Sequence, residues 1–127
     1  MTVKRIVFDI ATNSVEEVKQ FYIELFDLDI AMDQGWIATL TSGEGAQVQV
    51  SIASEGGSGT PVPDASIEVD DVNTTFDRAK SMGAKIEYNL TDEPWGVRRF
   101  FLRDPAGKLI NVLMRKASRR IAYTNSD

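Results

Sequence analysis

The chain opens with alternating apolar and polar residues, the pattern of a half-buried β-strand. In the segment VKRIVFDI, residues 3–10, apolar side chains recur at every second position from Ile6 onward, which predicts a strand with one face against a core. Ser14 then begins a predicted helix, because Glu17 follows it at the spacing of a capping box. The helix carries apolar residues at helical spacing: Val15, Val18, Phe21, Tyr22 and Leu25.

Three short apolar runs follow this helix and predict three strands. They are LDIAM at 28–32, WIATLT at 36–41 and AQVQVSI at 46–52, and each is separated from the next by glycine. The segment after them, EGGSGTPVP at 55–63, combines three glycines with two prolines. This is the composition of a linker.

The same order of elements begins again after this segment. Residues 65–69 alternate like a strand, and Asp71 is placed to cap a following helix that ends at Gly83. The apolar positions of that helix include Val72, Phe76 and Ala79. Three more strands are predicted in AKIEYNL, WGVRRFFL and KLINVLM, and a tight turn at 104–107 joins the last two.

A strand, a helix and three strands therefore occur twice, as in an internal duplication of about 60 residues per unit. This predicts the α+β class and a fold of two βαβββ modules. Module one is expected at about 3–53, a linker at 54–62 and module two at about 63–115, which together form a single domain over 1–115. Residues 116–127 are expected to form a polar tail.

Composition narrows the chemistry further. The 127 residues include no cysteine and no histidine, so disulfides, thiolate nucleophiles and imidazole ligands are excluded. The net charge is −5 and the one basic stretch runs from Arg115 to Arg120; we interpret it as a solvated extension and expect no nucleic-acid partner. No apolar run reaches the roughly 18–20 residues of a membrane span and no signal-peptide pattern is present, so we expect a cytoplasmic protein without a membrane partner.

Three stretches carry a family resemblance in their order and spacing. They are VEEVKQFYIELFDL at 15–28, SIEVDDV at 66–72 and PWGVRRFFLRDPAGKLINV at 94–112. Together they resemble the glyoxalase, bleomycin-resistance and extradiol-dioxygenase superfamily, also called the vicinal oxygen chelate superfamily, over about residues 3–115. The resemblance implies that the sheets of the two modules curl around a shared cleft, usually in a homodimer.

The resemblance also implies where a metal would be bound. Metal-using members carry one ligand, typically His or Glu, on the first and on the last strand of each module, and these positions fall at Val7, Gln49 or Gln47, Asp64 and Asn111. Iron, nickel and zinc favour imidazole and carboxylate together, so this set is expected to bind them poorly. We therefore expect no metal and no cofactor.

Dividing each strand into its two faces gives a candidate lining for the implied cleft. Apolar faces, among them Ile6 and Phe8 of the first strand, are expected to pack beneath the helices together with Phe21. A glycine bulge at Gly107 would place Phe101 on the Asn111 face. The opposite faces, with the two tryptophans at the rim, give the candidate ligand-binding residues: Asp9, Trp36, Gln49, Asp64, Ser66, Glu68, Trp95, Arg99, Phe101 and Asn111. The pattern alone favours a half-exposed sheet that faces water, and Trp95 has core cover as an alternative role; the resemblance favours the cleft.

Two classes of function stay open. The first is a metal-free protein that binds a small aromatic or cationic molecule, like the drug-sequestering members of the superfamily, because Asp9, Asp64, Glu68 and the aromatic rings suit cations and flat molecules. The second is a lyase or dioxygenase-type enzyme of the same superfamily with an atypical site, for which no catalytic residue is assigned. Nickel, zinc or iron that a chelator removed together with an activity would favour the enzyme.

Overall fold

The computed structural model describes residues 1–42 and 49–116. Its elements, in chain order, are β1 (Val3–Ala11), α1 (Val15–Phe26), β2 (Asp29–Asp33), β3 (Ile37–Thr41), β4 (Gln49–Ala53), β5 (Ala65–Val69), α2 (Val72–Ser81), β6 (Lys85–Glu93), β7 (Val97–Arg103) and β8 (Leu109–Arg115). The order βαβββ occurs twice, so the predicted α+β class and the two-module plan are confirmed. The predicted turn at 43–45, Gln47, and the tail from 117 onward lie outside the described residues.

The chain divides into two compact units. Among the described residues, the α1 unit comprises 7–42 and 49–65, and the α2 unit comprises 1–6 and 66–116. The hydrogen-bonded strand order is β2-β3-β4-β1 in the α1 unit and β1-β5-β8-β7-β6 in the α2 unit. Strand β1 occurs in both orders because its first residues belong to the α2 unit and its later residues to the α1 unit. β1 pairs with β4 in parallel, whereas the pairs β2–β3, β3–β4, β6–β7 and β7–β8 are antiparallel. The sheet of the α1 unit is therefore of mixed direction.

Helix α2 covers an apolar face of the sheet in its own unit. The core there consists of Val69, Val72, Ala79, Phe100 and Val112, with Phe76, Leu102 and Ile110 among the residues packed against it. The rings of Phe76 and Phe100 meet nearly edge to face, with centroids 5.0 Å apart, a geometry that adds to the stabilisation from burial. The predicted apolar faces of β7 and β8 are confirmed by this core.

Helix α1 covers less apolar surface than the sequence pattern predicts. It lies against β3 and β4, whose buried residues are Ala38, Leu40, Ser51, Ile52 and Ala53. Phe21 on the helix is nevertheless 58% exposed, and Ile6 and Phe8 on β1 are 63% and 60% exposed. The prediction that Ile6 and Phe8 pack beneath the helices, with Phe21 among their partners, is therefore wrong for the single chain. The strands that α1 mainly contacts are β3 and β4, so Phe8 on β1 stays largely exposed.

The two helices begin differently. The Asp71 carboxylate accepts a hydrogen bond from the backbone N–H of Thr74 at 3.0 Å, which confirms the predicted cap of α2. Ser14 makes no side-chain cap bond to α1, so the predicted capping box is wrong; its backbone N–H instead donates to Thr12 Oγ1 at 2.9 Å. Gly83 has a φ of 76°, as predicted for the end of α2. Neither helix within the described ranges has the length and apolar character needed to cross a membrane.

The glycine-rich segment at 55–63 is closed by backbone hydrogen bonds. The N–H of Gly56 donates to the Thr60 carbonyl at 2.8 Å, and the N–H of Thr60 donates to the Gly57 carbonyl at 2.9 Å. A Cβ atom at Gly56 would lie 2.1 Å from the Pro61 carbonyl oxygen, so a larger residue would force the backbone apart. The linker-like composition therefore reflects close approach of backbone segments in a tight turn.

Candidate functional site

β7 and β8 carry much of the candidate site on the sheet face opposite to the α2 core. Phe101 lies opposite Asn111, and Arg99 lies opposite Leu113. Because side chains alternate along a strand, Phe100 points into the core while Arg99 and Phe101 point to the other face. Arg99, Phe101 and Asn111 are all buried. The strand register therefore places these three residues on one face of the sheet, as predicted.

Irregularities in β6 bring Tyr88 and Glu93 to the same face. Tyr88 lies opposite Phe101 and Glu93 lies opposite Val97, with register shifts on both sides of Tyr88. Tyr88 and Glu93 are five positions apart, so a regular strand would point them to opposite faces, and the extra residue of a bulge reverses this. The predicted strand ended at Leu90 and so excluded Glu93, because the polar residues that follow Leu90 show no apolar alternation. Tyr88 lies within the predicted strand but was not among the candidate residues, because regular alternation places it on the face of Ile86 and Leu90.

Arg99 and Glu93 form a buried ion pair among aromatic rings. Arg99 Nε donates to Glu93 Oε2 at 2.7 Å, and the two side chains are 4% and 2% exposed. The Tyr88 hydroxyl donates to the same carboxylate oxygen at 2.8 Å. The guanidinium carbon lies 4.8 Å from the ring centroid of Phe101, 5.0 Å from that of Trp95 and 5.2 Å from that of Tyr88. The charge of the arginine is therefore balanced by a carboxylate and its faces are in contact with rings.

Asn111 contributes a buried amide to this face. Its Nδ2 donates to Ser66 Oγ at 3.0 Å. Its Oδ1 is completely buried, and no donor within residues 1–42 and 49–116 forms a hydrogen bond with it. Buried acceptors are paired in the great majority of cases, so an acceptor left in this state calls for an explanation.

Glu68 is held by two arginines. Its Oε1 accepts a hydrogen bond from Arg5 Nε at 2.9 Å and a longer one from Arg115 Nε at 3.4 Å, and Arg5 Nη2 also pairs with it. Burial raises the pKa of the Glu68 carboxyl, but the two guanidinium groups outweigh that effect, so the pKa lies below its ordinary value. The side chain is a charged carboxylate whose charge is already compensated.

The ten candidate residues divide between the two units. Asp9 on β1 donates its backbone N–H to the Asp64 carbonyl at 3.3 Å, and the Trp36 carbonyl accepts from the Ser54 N–H at 2.9 Å. Gln49 is the first residue of β4. These four candidates belong to the α1 unit. The remaining six belong to the α2 unit: Ser66, Glu68, Trp95, Arg99, Phe101 and Asn111.

The family profile described as Glyoxalase/Bleomycin resistance protein/Dioxygenase superfamily matches residues 3–112, which is most of the chain. The chain belongs to this superfamily. The resemblance of the three sequence stretches to the superfamily is thereby confirmed. No functionally curated protein matches the sequence.

Solved structures of other proteins share the superfamily fold. A Legionella pneumophila protein described as NAD-dependent benzaldehyde dehydrogenase gives a TM-score of 0.71 at 12% identity, covering 87% of this chain and 99% of that one. A superfamily member from Vibrio splendidus 12B01 gives 0.65 at 18% identity, covering 90% and 99%. Methylmalonyl-CoA epimerase from Mycobacterium tuberculosis gives 0.58 at 16% identity, covering 89% and 87%. At these identities the likeness shows the fold alone.

The positions at which metal-using members of the superfamily hold their ligands do not suit such a metal here. Val7 has no ligating side-chain atom, Gln49 and Asn111 carry neutral amides, and Asp64 supplies a single carboxylate. Within the part of the chain that the structure describes, no three His, Cys, Asp or Glu side chains come together in a way that could hold a metal ion. Iron, nickel and zinc require a richer set of imidazole and carboxylate ligands, so the residues present do not fit them.

Proposed function

We propose that this chain binds a small aromatic molecule, without a metal, on the face of the α2 unit that carries Arg99. The observation that supports this most strongly is the cluster of Tyr88, Trp95 and Phe101 around one guanidinium group. Tyr88 and Trp95 are half-buried, so part of their surface is accessible to a flat molecule. Pockets that combine aromatic rings with a few fixed polar groups are typical of small-molecule sites.

The pairing of charges favours a neutral aromatic ligand over a cationic one. The sequence offered Glu68 as one of the carboxylates for a cation, but two arginines now compensate it. Glu93, the carboxylate beside the rings, is compensated by Arg99. A cationic ligand would have to compete with a guanidinium group for either carboxylate, and separating a buried pair is unfavourable.

A thermal-shift screen of neutral aromatic compounds tests this proposal, because a ligand that binds only the folded state raises the melting temperature. We expect the Trp95→Ala variant to bind a hit about tenfold more weakly, since a stacking ring is lost. Met82→Ala is the matched control, because Met82 is an exposed apolar residue outside the proposed site and the proposed interface. An undiminished shift in Trp95→Ala, or a larger loss in the control, would contradict the proposed site.

An enzyme of the same superfamily with an atypical site is the competing function. Metal analysis of the purified protein discriminates the two, since the proposed binding protein contains no stoichiometric iron, nickel or zinc and its thermal shifts survive treatment with a chelator. Loss of a bound metal together with a catalytic activity on chelation would favour the alternative.

We also propose that the chain forms a homodimer. Its exposed large apolar side chains include four in the α1 unit: Phe8 on β1 and Phe21, Leu25 and Phe26 on α1. Phe21 and Leu25 are one helical turn apart and therefore lie on the same side of α1. Exposed apolar patches of this kind commonly mark protein interfaces, and the second copy of the chain would supply the cover that the single chain lacks.

A further inference from the structure

In the buried side-chain amide of Asn111, the nitrogen forms a hydrogen bond, whereas the oxygen has no partner among the described residues. Its Nδ2 donates to Ser66 Oγ at 3.0 Å. Its Oδ1 therefore points away from Ser66, and no donor of residues 1–42 and 49–116 forms a hydrogen bond with it. The residue is 8% exposed, so bulk water does not replace the missing donor. Such an acceptor carries the full penalty of desolvation.

Apolar residues occupy the neighbouring positions on the same face of β8. Leu109 and Leu113, two positions before and after Asn111, are both buried. A leucine between them would avoid the desolvation penalty, so packing alone does not account for an asparagine at this position. An unpaired buried acceptor of this kind is consistent with a partner that arrives with a ligand.

The surroundings restrict the chemistry of that partner. Phe101 lies directly opposite Asn111, and its ring centroid lies 4.8 Å from the Arg99 guanidinium carbon. Burial penalises a charged donor that brings no counter-charge, whereas a carboxylate has no proton to donate. A neutral N–H or O–H group satisfies both conditions.

We infer that Asn111 Oδ1 selects ligands by accepting a hydrogen bond from a neutral aromatic N–H or O–H, as in an indole or a phenol. This inference rests on the proposed function and names the ligand class for the same site. Because Oδ1 is buried, a ligand reaches it only when neighbouring side chains move, so association is slower than for an open site.

Two pairs of probes test the inference: indole with 1-methylindole, and 2-naphthol with 2-methoxynaphthalene. Methylation removes the donor and leaves the aromatic ring in place. We expect the wild-type protein to bind the donor member of each pair about fivefold to tenfold more tightly, the range expected for one net hydrogen bond. In ¹H–¹⁵N spectra the side-chain amide signal of Asn111 should shift with indole and 2-naphthol and remain in place with the methylated probes.

The Asn111→Leu variant separates this hydrogen bond from the steric effect of the methyl group. We expect it to bind both members of each pair equally, whereas Asn89→Leu, an exposed asparagine on β6, keeps the wild-type preference. Asn111→Ser is the second variant if leucine impairs folding, and it should also weaken the preference. A preference that persists in both Asn111 variants overturns the inference and leaves the proposed function standing. Failure of all four probes to bind wild-type protein, with no hit in the aromatic screen, overturns the proposed function and the inference together.

Discussion

The two βαβββ modules follow the same pattern in sequence but bury their helices to different extents. In the α2 unit, Phe76 on the helix packs against Phe100 on the sheet, and Phe100 is completely buried. In the α1 unit, Phe21 and Leu25 on the helix are largely exposed. Apolar periodicity thus identifies which side chains need cover, but it does not say whether the same chain supplies it. This difference is the main support for the proposed homodimer.

Removing one aromatic ring from each module should give the largest difference between them in the loss of stability. Phe100→Ala should lower the free energy of unfolding by about 3–5 kcal/mol, because it leaves a cavity in a closed core. Phe21→Ala should change the stability of the monomer by no more than about 0.5 kcal/mol. Urea unfolding at low protein concentration measures both values. Sedimentation velocity should show weaker self-association of Phe21→Ala, and equal destabilisation by the two variants would refute the contrast.

Removing one buried cationic side chain from each unit should give a smaller difference in the loss of stability. Arg99→Met should cost about 3 kcal/mol, because the Glu93 carboxylate stays buried without its counter-charge. Lys19 is also buried, but its partners Asp33 and Glu16 have side chains that are 36% and 74% exposed. Those carboxylates remain hydrated in Lys19→Met, so its loss of stability should be clearly the smaller of the two. Thermal unfolding of both variants decides the order, and the reverse order would contradict this view of the ion pairs.

The smallest difference concerns the starts of the two helices. Asp71→Ala should lower the melting temperature, whereas Ser14→Ala should leave it unchanged, because Asp71 caps its helix and the Ser14 side chain does not. The Thr74 backbone N–H and hydroxyl hold the pKa of Asp71 below its ordinary value. Its contribution is therefore complete above the unfolded pKa of about 4 and is lost as the pH falls through the folded pKa.

The pH dependence can be followed by comparing the melting temperatures of wild-type protein and Asp71→Ala from neutral to acidic pH. The gap between them should be constant at neutral pH and shrink under acid conditions. A gap that widens on acidification would mean that the carboxylate is not what stabilises the helix.

Element order and strand faces were accessible from the sequence because they depend on local periodicity. The alternation of β7 and β8 correctly separated Phe100 from Phe101, and Gly83 marked a helix end by its conformational freedom. The capping role of Ser14 failed because the same motif is compatible with another local hydrogen bond, here between the Ser14 N–H and Thr12. Composition likewise suggested a linker at 55–63, although glycine also permits close backbone packing.

The candidate site was only partly accessible from the sequence. Face alternation grouped Arg99, Phe101 and Asn111, and the structure keeps them on one face. Glu93 and Tyr88 could not be found in this way, because bulges in β6 break the two-residue period on which the method depends. The unpaired state of Asn111 Oδ1 is likewise a property of packing in three dimensions and leaves no trace in the pattern.

The division of β1 between the two units has a consequence for protein synthesis. Thr2 and Asp70 bond to each other through the Thr2 N–H and the Asp70 carboxylate, 68 residues apart in the chain. The ribosome therefore releases residues 2–6 long before the part of the α2 unit to which Thr2 bonds. During that interval this segment, with the apolar side chain of Ile6, has no partner from its own unit, which makes the nascent chain prone to aggregation and a client for chaperones.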